Sequence, residues 1–438
     1  MTESAVEKLR KELFKRTVSV ALKAPFYNRP PYKNLLKQAK SIHDLALLPT
    51  ITKADIAEDP ESLLTRNSFP GQLEISSGST YDPDNLKLVR SYTSESELEA
   101  FELIKQINGS SDTQRKDLCI QLIHSLHGAS RNVYSSSHFY LPLDIPFHFD
   151  HVRDILERRF NFNDCSEQVR TLIGTTSAIQ LLTTLLIEKS PQTFQKTDVR
   201  TIVCHSWKLT NRWRKVLSDK WGAVPINLYG FTEIKSAAAP ECLACGGIHL
   251  PPIVIPEIIG FGEQEKSKLK PGDVGELVVT GLAPFCELQP LLRYRTGDLV
   301  EVLNYCEFGK ECGFRFVGRL SRSIVNQRLG FVLGSGEVFQ VIDDIPEAAF
   351  VPFRTAKRFS LAAGYGVPKF RLSFSENKLL SVPDNLNIEV ELCFNPELHP
   401  SRSTQLANDF KENLFAVSPR IEKLEKEGHI NTKIIFLP

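Results

Sequence analysis

Gly222-Ala223-Val224-Pro225-Ile226-Asn227-Leu228-Tyr229-Gly230-Phe231-Thr232-Glu233 reads as a strand that runs into a glycine turn, presenting an aromatic ring, a hydroxyl and a carboxylate close together. An aromatic ring stacks on a purine, Thr232 can donate to a phosphate, and Glu233 can hold Mg²⁺ against phosphate oxygens. The alternative for such a segment is a plain loop with a solvated carboxylate. Working outward, Thr210 to Trp221 has the pattern of a helix and Thr201-Ile202-Val203-Cys204 that of a compact strand. From Leu118 to Ile187 apolar strand-like runs alternate with helical ones, including a helix that starts near Gly174. This alternation predicts a layered α/β domain.

Further downstream, Gly275 to Thr280 and Asp298 to Val302 alternate with period two, as strands do. In Arg293-Tyr294-Arg295-Thr296-Gly297-Asp298 the aspartate is expected to begin its strand, where a carboxylate can accept both hydroxyls of a ribose. Arg319 of Gly318-Arg319 could pair with ribose or phosphate. Past Gly318 the character changes: Phe370 to Phe374, Ile388 to Phe394 and Lys433 to Leu437 read as strands and Thr404 to Phe415 as a helix. A chain of 438 residues exceeds one ordinary core. The expectation is a large layered α/β domain over 1–320 and a small C-terminal α+β domain over 321–438.

Upstream, Leu73-Glu74-Ile75 reads as a strand entering Ser76-Ser77-Gly78-Ser79-Thr80. Small residues let backbone N–H groups approach an anion and the hydroxyls add donors, although a Ser/Gly cluster by itself is most often a turn. A charged helical stretch follows over Ser94 to Ile107. The N-terminal segment, through Ala24, has the mixed pattern of an amphipathic helix and not of a signal peptide. With 53 Lys plus Arg against 52 Asp plus Glu, there is no basic footprint for nucleic acid and no polybasic membrane patch. No apolar run approaches the ~18 residues that cross a bilayer. Nine cysteines without an export signal fit a reduced cytoplasm, with buried thiols or a metal site in place of disulfides.

Taken together, in this order and spacing, these elements resemble the adenylate-forming superfamily of acyl-CoA synthetases and peptide-synthetase adenylation domains, in particular its phenylacetate-CoA ligase-like branch. Ala24-Pro25-Phe26-Tyr27, Leu48-Pro49-Thr50-Ile51-Thr52-Lys53, Tyr-Gly-x-Thr-Glu at 229–233 and Tyr-Arg-Thr-Gly-Asp at 294–298 carry the resemblance over nearly the whole chain. It implies an AMP-forming carboxylate ligase that makes acyl-AMP and pyrophosphate from ATP and a small acid, aryl or short-chain. The small domain then rotates, and the acyl group passes to a thiol, usually that of coenzyme A. Carried over residue by residue, Ser76, Ser77, Gly78, Ser79 and Thr80 would cradle phosphate. Thr232 would touch phosphate, Glu233 would bind Mg²⁺, Asp298 the ribose, Tyr229 with Gly230 the adenine, and Arg319 would lie at the hinge side of the nucleotide.

Three departures stand out. The serine loop continues as Tyr81-Asp82-Pro83-Asp84, where the family has a glycine, a proline and a lysine; Mg²⁺ or Lys87 must offset the added negative charge. The hinge segment Gly318-Arg319-Leu320-Ser321-Arg322-Ser323 lacks the acidic residues usual after the Gly-Arg pair. The family's catalytic lysine near the C-terminus has Lys433 as its candidate, with a solvated strand-end lysine as the plainer reading.

Glu241-Cys242-Leu243-Ala244-Cys245-Gly246-Gly247-Ile248-His249, with Cys306 and Cys312, offers five candidates for the four positions of a structural Zn²⁺. Cys245 is expected to be the spare, and reduced cysteines without metal are the alternative. Some relatives in the branch are similar in having a cysteine and histidine here. For the acid, His127, Tyr134, Gly174 and Thr175 are the expected lining. Rival readings are an enzyme that loads an acyl carrier protein, and a retired relative that binds nucleotide without chemistry. A homodimer remains open.

Overall fold

The computed structural model describes residues 5–65, 70–75, 90–94, 96–97, 99–100, 118–123, 138–142, 148–162, 165–234, 237–262, 269–308, 311–351, 367–377 and 382–438. The architecture is layered α/β, as the strand–helix alternation predicts. A six-stranded sheet has the order Ala239–Pro240, Val224–Tyr229, Thr201–His205, Val169–Thr175, Leu118–Ile123, His138–Pro142, parallel except at the Ala239–Pro240 edge. Helices Thr176–Lys189 and Asn211–Trp221 begin at hydroxyl caps: Thr175 Oγ1 accepts from Ala178 N at 3.2 Å and Thr210 Oγ1 from Trp213 N at 3.4 Å. Asn211–Trp221 ends at Gly222, whose φ of 63° is the left-handed cap that glycine adopts without strain. Trp213, Leu217 and Trp221, four apart, bury one face of this helix against Ile202, Leu182 and Leu186.

The second sheet is antiparallel, in the order Val254–Ile259, Val274–Gly281, Tyr294–Cys306, Glu311–Arg319. Every residue of Val274–Gly281 is buried, which places protein on both faces of that strand. Phe14, Tyr27, Leu36, Leu45 and Leu48 of the N-terminal helical segment share its core. Tyr27 is fully buried with its hydroxyl satisfied twice, donating to Pro290 O and accepting from Leu292 N, each at 2.9 Å.

Beyond Arg319, strand Asp384–Glu391 pairs antiparallel with Phe370–Ser375 and parallel with Ile430–Leu437. Helices Ser335–Ile342, Pro400–Val417 and Pro419–Lys426 close a separate core that contains Val338, Ile388, Phe410, Leu414 and Ile421. Between this core and the antiparallel sheet lies a cluster of only four buried residues, Val274, Leu299, Val317 and Phe331. Here the end of strand Glu311–Arg319 abuts the start of helix Ser335–Ile342, backbone against backbone. A Cβ on Gly318 would stand 2.7 Å from Ser335 N, and one on Gly336 2.8 Å from Val317 O.

One sequence expectation needs correction here. Asp298 does not begin its strand: the strand starts at Tyr294 and runs to Cys306, because Glu276 opposite ties Arg295 and Gly297 N into the ladder region. Ser94 ends strand Arg90–Ser94 and opens the helical stretch expected there: its Oγ accepts from Glu97 N at 3.2 Å and residues 96–97 and 99–100 are helical, while residues 101–107 lie outside the described set. No helix among the described residues is long and apolar enough to cross a membrane.

Candidate active site

Strands Val169–Thr175, Thr201–His205 and Val224–Tyr229 are parallel, so the segments that follow them emerge along one edge of the sheet. The carboxyl edge of an open α/β sheet is where ligands bind. The antiparallel sheet brings its own carboxylate to this edge. Asp298 and Arg319 are direct cross-strand partners, so their side chains share a face. Asp298 is 2% exposed. Its Oδ2 accepts from Tyr229 OH at 2.7 Å, and Arg319 Nε stands 2.8 Å from Oδ1. That contact is an ion pair, and Oδ1 is buried within it. Arg319 spends Nη1 on Thr296 O at 3.0 Å. Burial pushes the Asp298 carboxyl up, opposed by the Arg319 guanidinium and the Tyr229 hydroxyl. Burial, then the Asp298 charge, holds the Tyr229 phenol well above its ordinary value, so it remains a donor.

Glu233 is 8% exposed. Its Oε1 accepts from Tyr294 OH at 2.9 Å and stands 3.8 Å from Lys53 Nζ. Oε2 has no described hydrogen bond, so the carboxylate keeps one oxygen for a cation. Lys53 was visible in the Leu48–Lys53 motif, but nothing in its spacing announced that it meets Glu233. Thr232 is partly exposed in the turn that follows Val224–Tyr229.

Two cavities lie at this edge, the smaller of them lined by Asp298. The smaller, about 150 Å³, is lined by Tyr229, Gly230, Asp298, Arg319 and Ser206 to Lys208. The larger, about 770 Å³, runs past Arg214, Glu241, Cys245 and Gly246 to Ser418. Lys208, Asn227 and Tyr229 border both. Lys208, which sequence reasoning did not single out, donates to Gly336 O at 2.9 Å.

The remaining expected residues fall elsewhere. Gly174 and Thr175 end their parallel strand at the same sheet edge but line neither cavity. A Cβ on Gly174 would meet Leu122 Cβ at 3.1 Å, and Thr175 caps its helix. Lys433, expected to be catalytic, is exposed in the middle of edge strand Ile430–Leu437, opposite Asn387, and lines neither cavity. Ser76, Ser77, Gly78, Ser79, Thr80, His127 and Tyr134 lie outside the described residues.

The cysteines resolve differently from expectation. Cys242, Cys245, His249 and Cys306 bring their ligand atoms within 4.8 Å of one another. Cys242 Sγ lies 4.0 Å from Cys306 Sγ and Cys245 Sγ 3.2 Å from His249 Nε2. Gly313 leaves room for the imidazole, since a Cβ there would stand 2.9 Å from His249 Cε1. The backbone N–H groups of Cys245 and Ala244 pull the Cys242 thiol below its ordinary value. Thus Cys245 belongs to the group and the spare is Cys312. Cys312 pairs across the hairpin with Tyr305, which is 63% exposed, whereas Cys306 is the next residue along and points to the opposite face.

No protein-family model and no curated protein matches the sequence. In shape the chain is similar to a 2-hydroxyisobutyryl-CoA ligase in an open conformation in complex with 2-HIB-AMP and CoA. The TM-score is 0.66 at 13% identity, covering 98% of this chain and 88% of that one. The same ligase in its thioesterification state gives 0.57 at 15% identity, with 100% and 87% covered. GH3.15 acyl acid amido synthetase gives 0.56 at 14%, with 99% and 87% covered. At these identities the likeness is one of fold, spanning nearly the whole chain.

Proposed function

We propose that the protein is an ATP-dependent, AMP-forming enzyme that converts a small carboxylic acid to its acyl-adenylate and passes the acyl group to a thiol, that of coenzyme A. The observation that carries this reading is Asp298: a buried carboxylate on the wall of the smaller cavity, held by Tyr229 and by an ion pair with Arg319 at 2.8 Å. A ribose hydroxyl can donate to a carboxylate placed there. The fold and the motifs at 24–27, 48–53, 229–233 and 294–298 support assignment to the phenylacetate-CoA ligase-like branch of adenylate-forming enzymes.

In the reaction a carboxylate oxygen of the acid attacks the α-phosphorus of ATP. An O–P bond forms, the bond from that phosphorus to the bridging oxygen breaks, and its electron pair leaves with pyrophosphate; no proton changes hands. Catalysis is then positioning and neutralisation of charge. Asp298, held by Tyr229 and Arg319, receives the ribose, Tyr229 and Gly230 are assigned to the adenine, and Thr232 and the Ser76–Thr80 loop donate to phosphate. Glu233 would hold Mg²⁺ through its free oxygen, with Tyr294 fixing the other; the ion offsets phosphate charge. His127, Tyr134, Gly174 and Thr175 are assigned to the acid, and residues 321–438 to a lid that moves relative to 1–320.

Cys242, Cys245, His249 and Cys306 fit a closed Zn²⁺ site by donor chemistry and spacing, three thiolates and one imidazole on two loops. Such a site would staple the loop after Glu241 to the Asp298 hairpin.

The test is pyrophosphate release from Mg-ATP across aryl and aliphatic acids, with and without coenzyme A. Acid-dependent release, quickened by coenzyme A, is the expected result. Folded protein that releases pyrophosphate with no acid on a broad panel would overturn the reading.

A further inference from the structure

Around Lys208 the charges are settled among themselves. Glu337 is held by Arg420 at 3.0 Å, Glu301 by Arg315 at 2.6 Å, and Arg214 pairs with Glu241. Lys208 has no carboxylate within ion-pair range among the described residues. Its one described acceptor is a neutral carbonyl, Gly336 O, although an ammonium carries three donors. The surrounding protein disfavours the charge, lowering its pKa to about 8, with Glu337 opposing. The backbone that delivers it is also unusual: Ser206, two residues earlier, has a φ of 71°, in the left-handed region that a non-glycine residue seldom occupies. An ammonium that lacks a counter-ion and borders both cavities calls for an anion from outside the chain. Arg322 also lines the smaller cavity without a described ion pair, but it is exposed, so solvent screens it.

We propose that Lys208 is a catalytic residue that binds the α-phosphate of the nucleotide, standing between the Asp298 cavity and the larger one. This rests on the adenylation reading and assigns the cation of that site. Asp298 fixes the ribose, and the phosphate attached to that ribose must lie along the cavity wall; Lys208 is the half-buried cation on that wall. It keeps its proton throughout. As negative charge gathers on the phosphate oxygens during attack and departure, a fixed ammonium stabilises it without reorganisation. Gly336 O, on the helix of the C-terminal part, holds the ammonium in reach.

The experiment compares Lys208→Ala and Lys208→Arg with the wild type in two assays. In calorimetry with AMP and adenosine as probes, Lys208→Ala loses about tenfold of the preference for AMP over adenosine. In acid-dependent pyrophosphate release, kcat falls about 100-fold, the scale for removing one transition-state donor. Wild-type kcat/KM declines as pH rises through about 8, because the ammonium deprotonates there, and Lys208→Arg moves that decline to higher pH. A merely structural lysine would move neither the AMP preference nor the pH limb. An unchanged AMP preference and a rate within twofold of wild type in Lys208→Ala overturn the proposal. Should Lys208→Ala fail to fold, Lys208→Met, which keeps the apolar stem, is read in the same assays. Absence of acid-dependent release in the wild type would sink the adenylation reading, while the AMP-to-adenosine comparison would still decide on Lys208.

Discussion

One hairpin, Tyr294–Cys306 with Glu311–Arg319, carries a different polar cluster at each end. At one end Asp298 faces Arg319 across the ladder and takes a hydrogen bond from Tyr229. At the other, Cys306 meets Cys242, which lies in the loop past the same Tyr229 strand. Both clusters therefore join the two sheets, but through opposite physics. The charged end is buried, pairs a carboxylate with a guanidinium at 2.8 Å and lines a cavity. The thiol end is partly exposed, with Cys306 buried, Cys242 half-buried and Cys245 exposed, and its four ligand atoms lie within 4.8 Å of one another. The first has the character of a binding site, the second of a clasp.

The comparison breaks or sharpens under four substitutions. The largest effect is expected for Glu233→Gln, which keeps size and the Tyr294 partner but removes charge: acid-dependent pyrophosphate release should fall by about 1,000-fold at an unchanged melting temperature. Release within tenfold of wild type would remove Glu233 from the mechanism. Asp298→Asn should cost about 100-fold in kcat/KM for ATP, because an amide leaves Arg319 uncompensated and offers one acceptor fewer. Equal ATP kinetics in that variant would deny the charged end its role in binding. At the thiol end, Cys245→Ser should remove most of the zinc, measured by metal analysis of protein purified without chelator, and lower the melting temperature on the order of 5 °C. Wild-type protein devoid of zinc would end the metal assignment. The smallest effect belongs to Cys312→Ser: metal content and melting should match the wild type, and a loss of zinc there would show that the wrong cysteine was excluded.

The same contrast explains what could be read from the sequence. Tyr229 to Glu233 and Asp298 are legible because each lies in a short contiguous motif, the first at the end of strand Val224–Tyr229 and the second within Tyr294–Cys306, where residue order is also spatial order. Arg319 as the partner of Asp298 is not, since it depends on the register between strands twenty residues apart and on two ladder irregularities between them. The choice between Cys245 and Cys312 turns on which face of a strand a side chain takes, and spacing across a hairpin turn is silent about that until the register is known. Lys433 had only position near the C-terminus in its favour, and strand Ile430–Leu437 turns it to solvent. Lys208 carried no motif at all; what marks it is the absence of a counter-charge, a property of the folded surroundings. The layered α/β class, by contrast, rests on local periodicity repeated over many elements, and it survives intact.

The seat between Gly318 and Gly336 has a mechanical consequence. Two chain segments rest against each other there nearly backbone to backbone, with only the Ser323 and Ser335 hydroxyls beside Gly318. The gap is thus a gauge: whatever is inserted lifts helix Ser335–Ile342 by its own width. Gly336 O travels with that helix, so the tether on the Lys208 ammonium is shimmed by two residues that carry nothing themselves. A single methyl group at this seat would act as a wedge, detuning the cavity from outside without altering one charged atom within it.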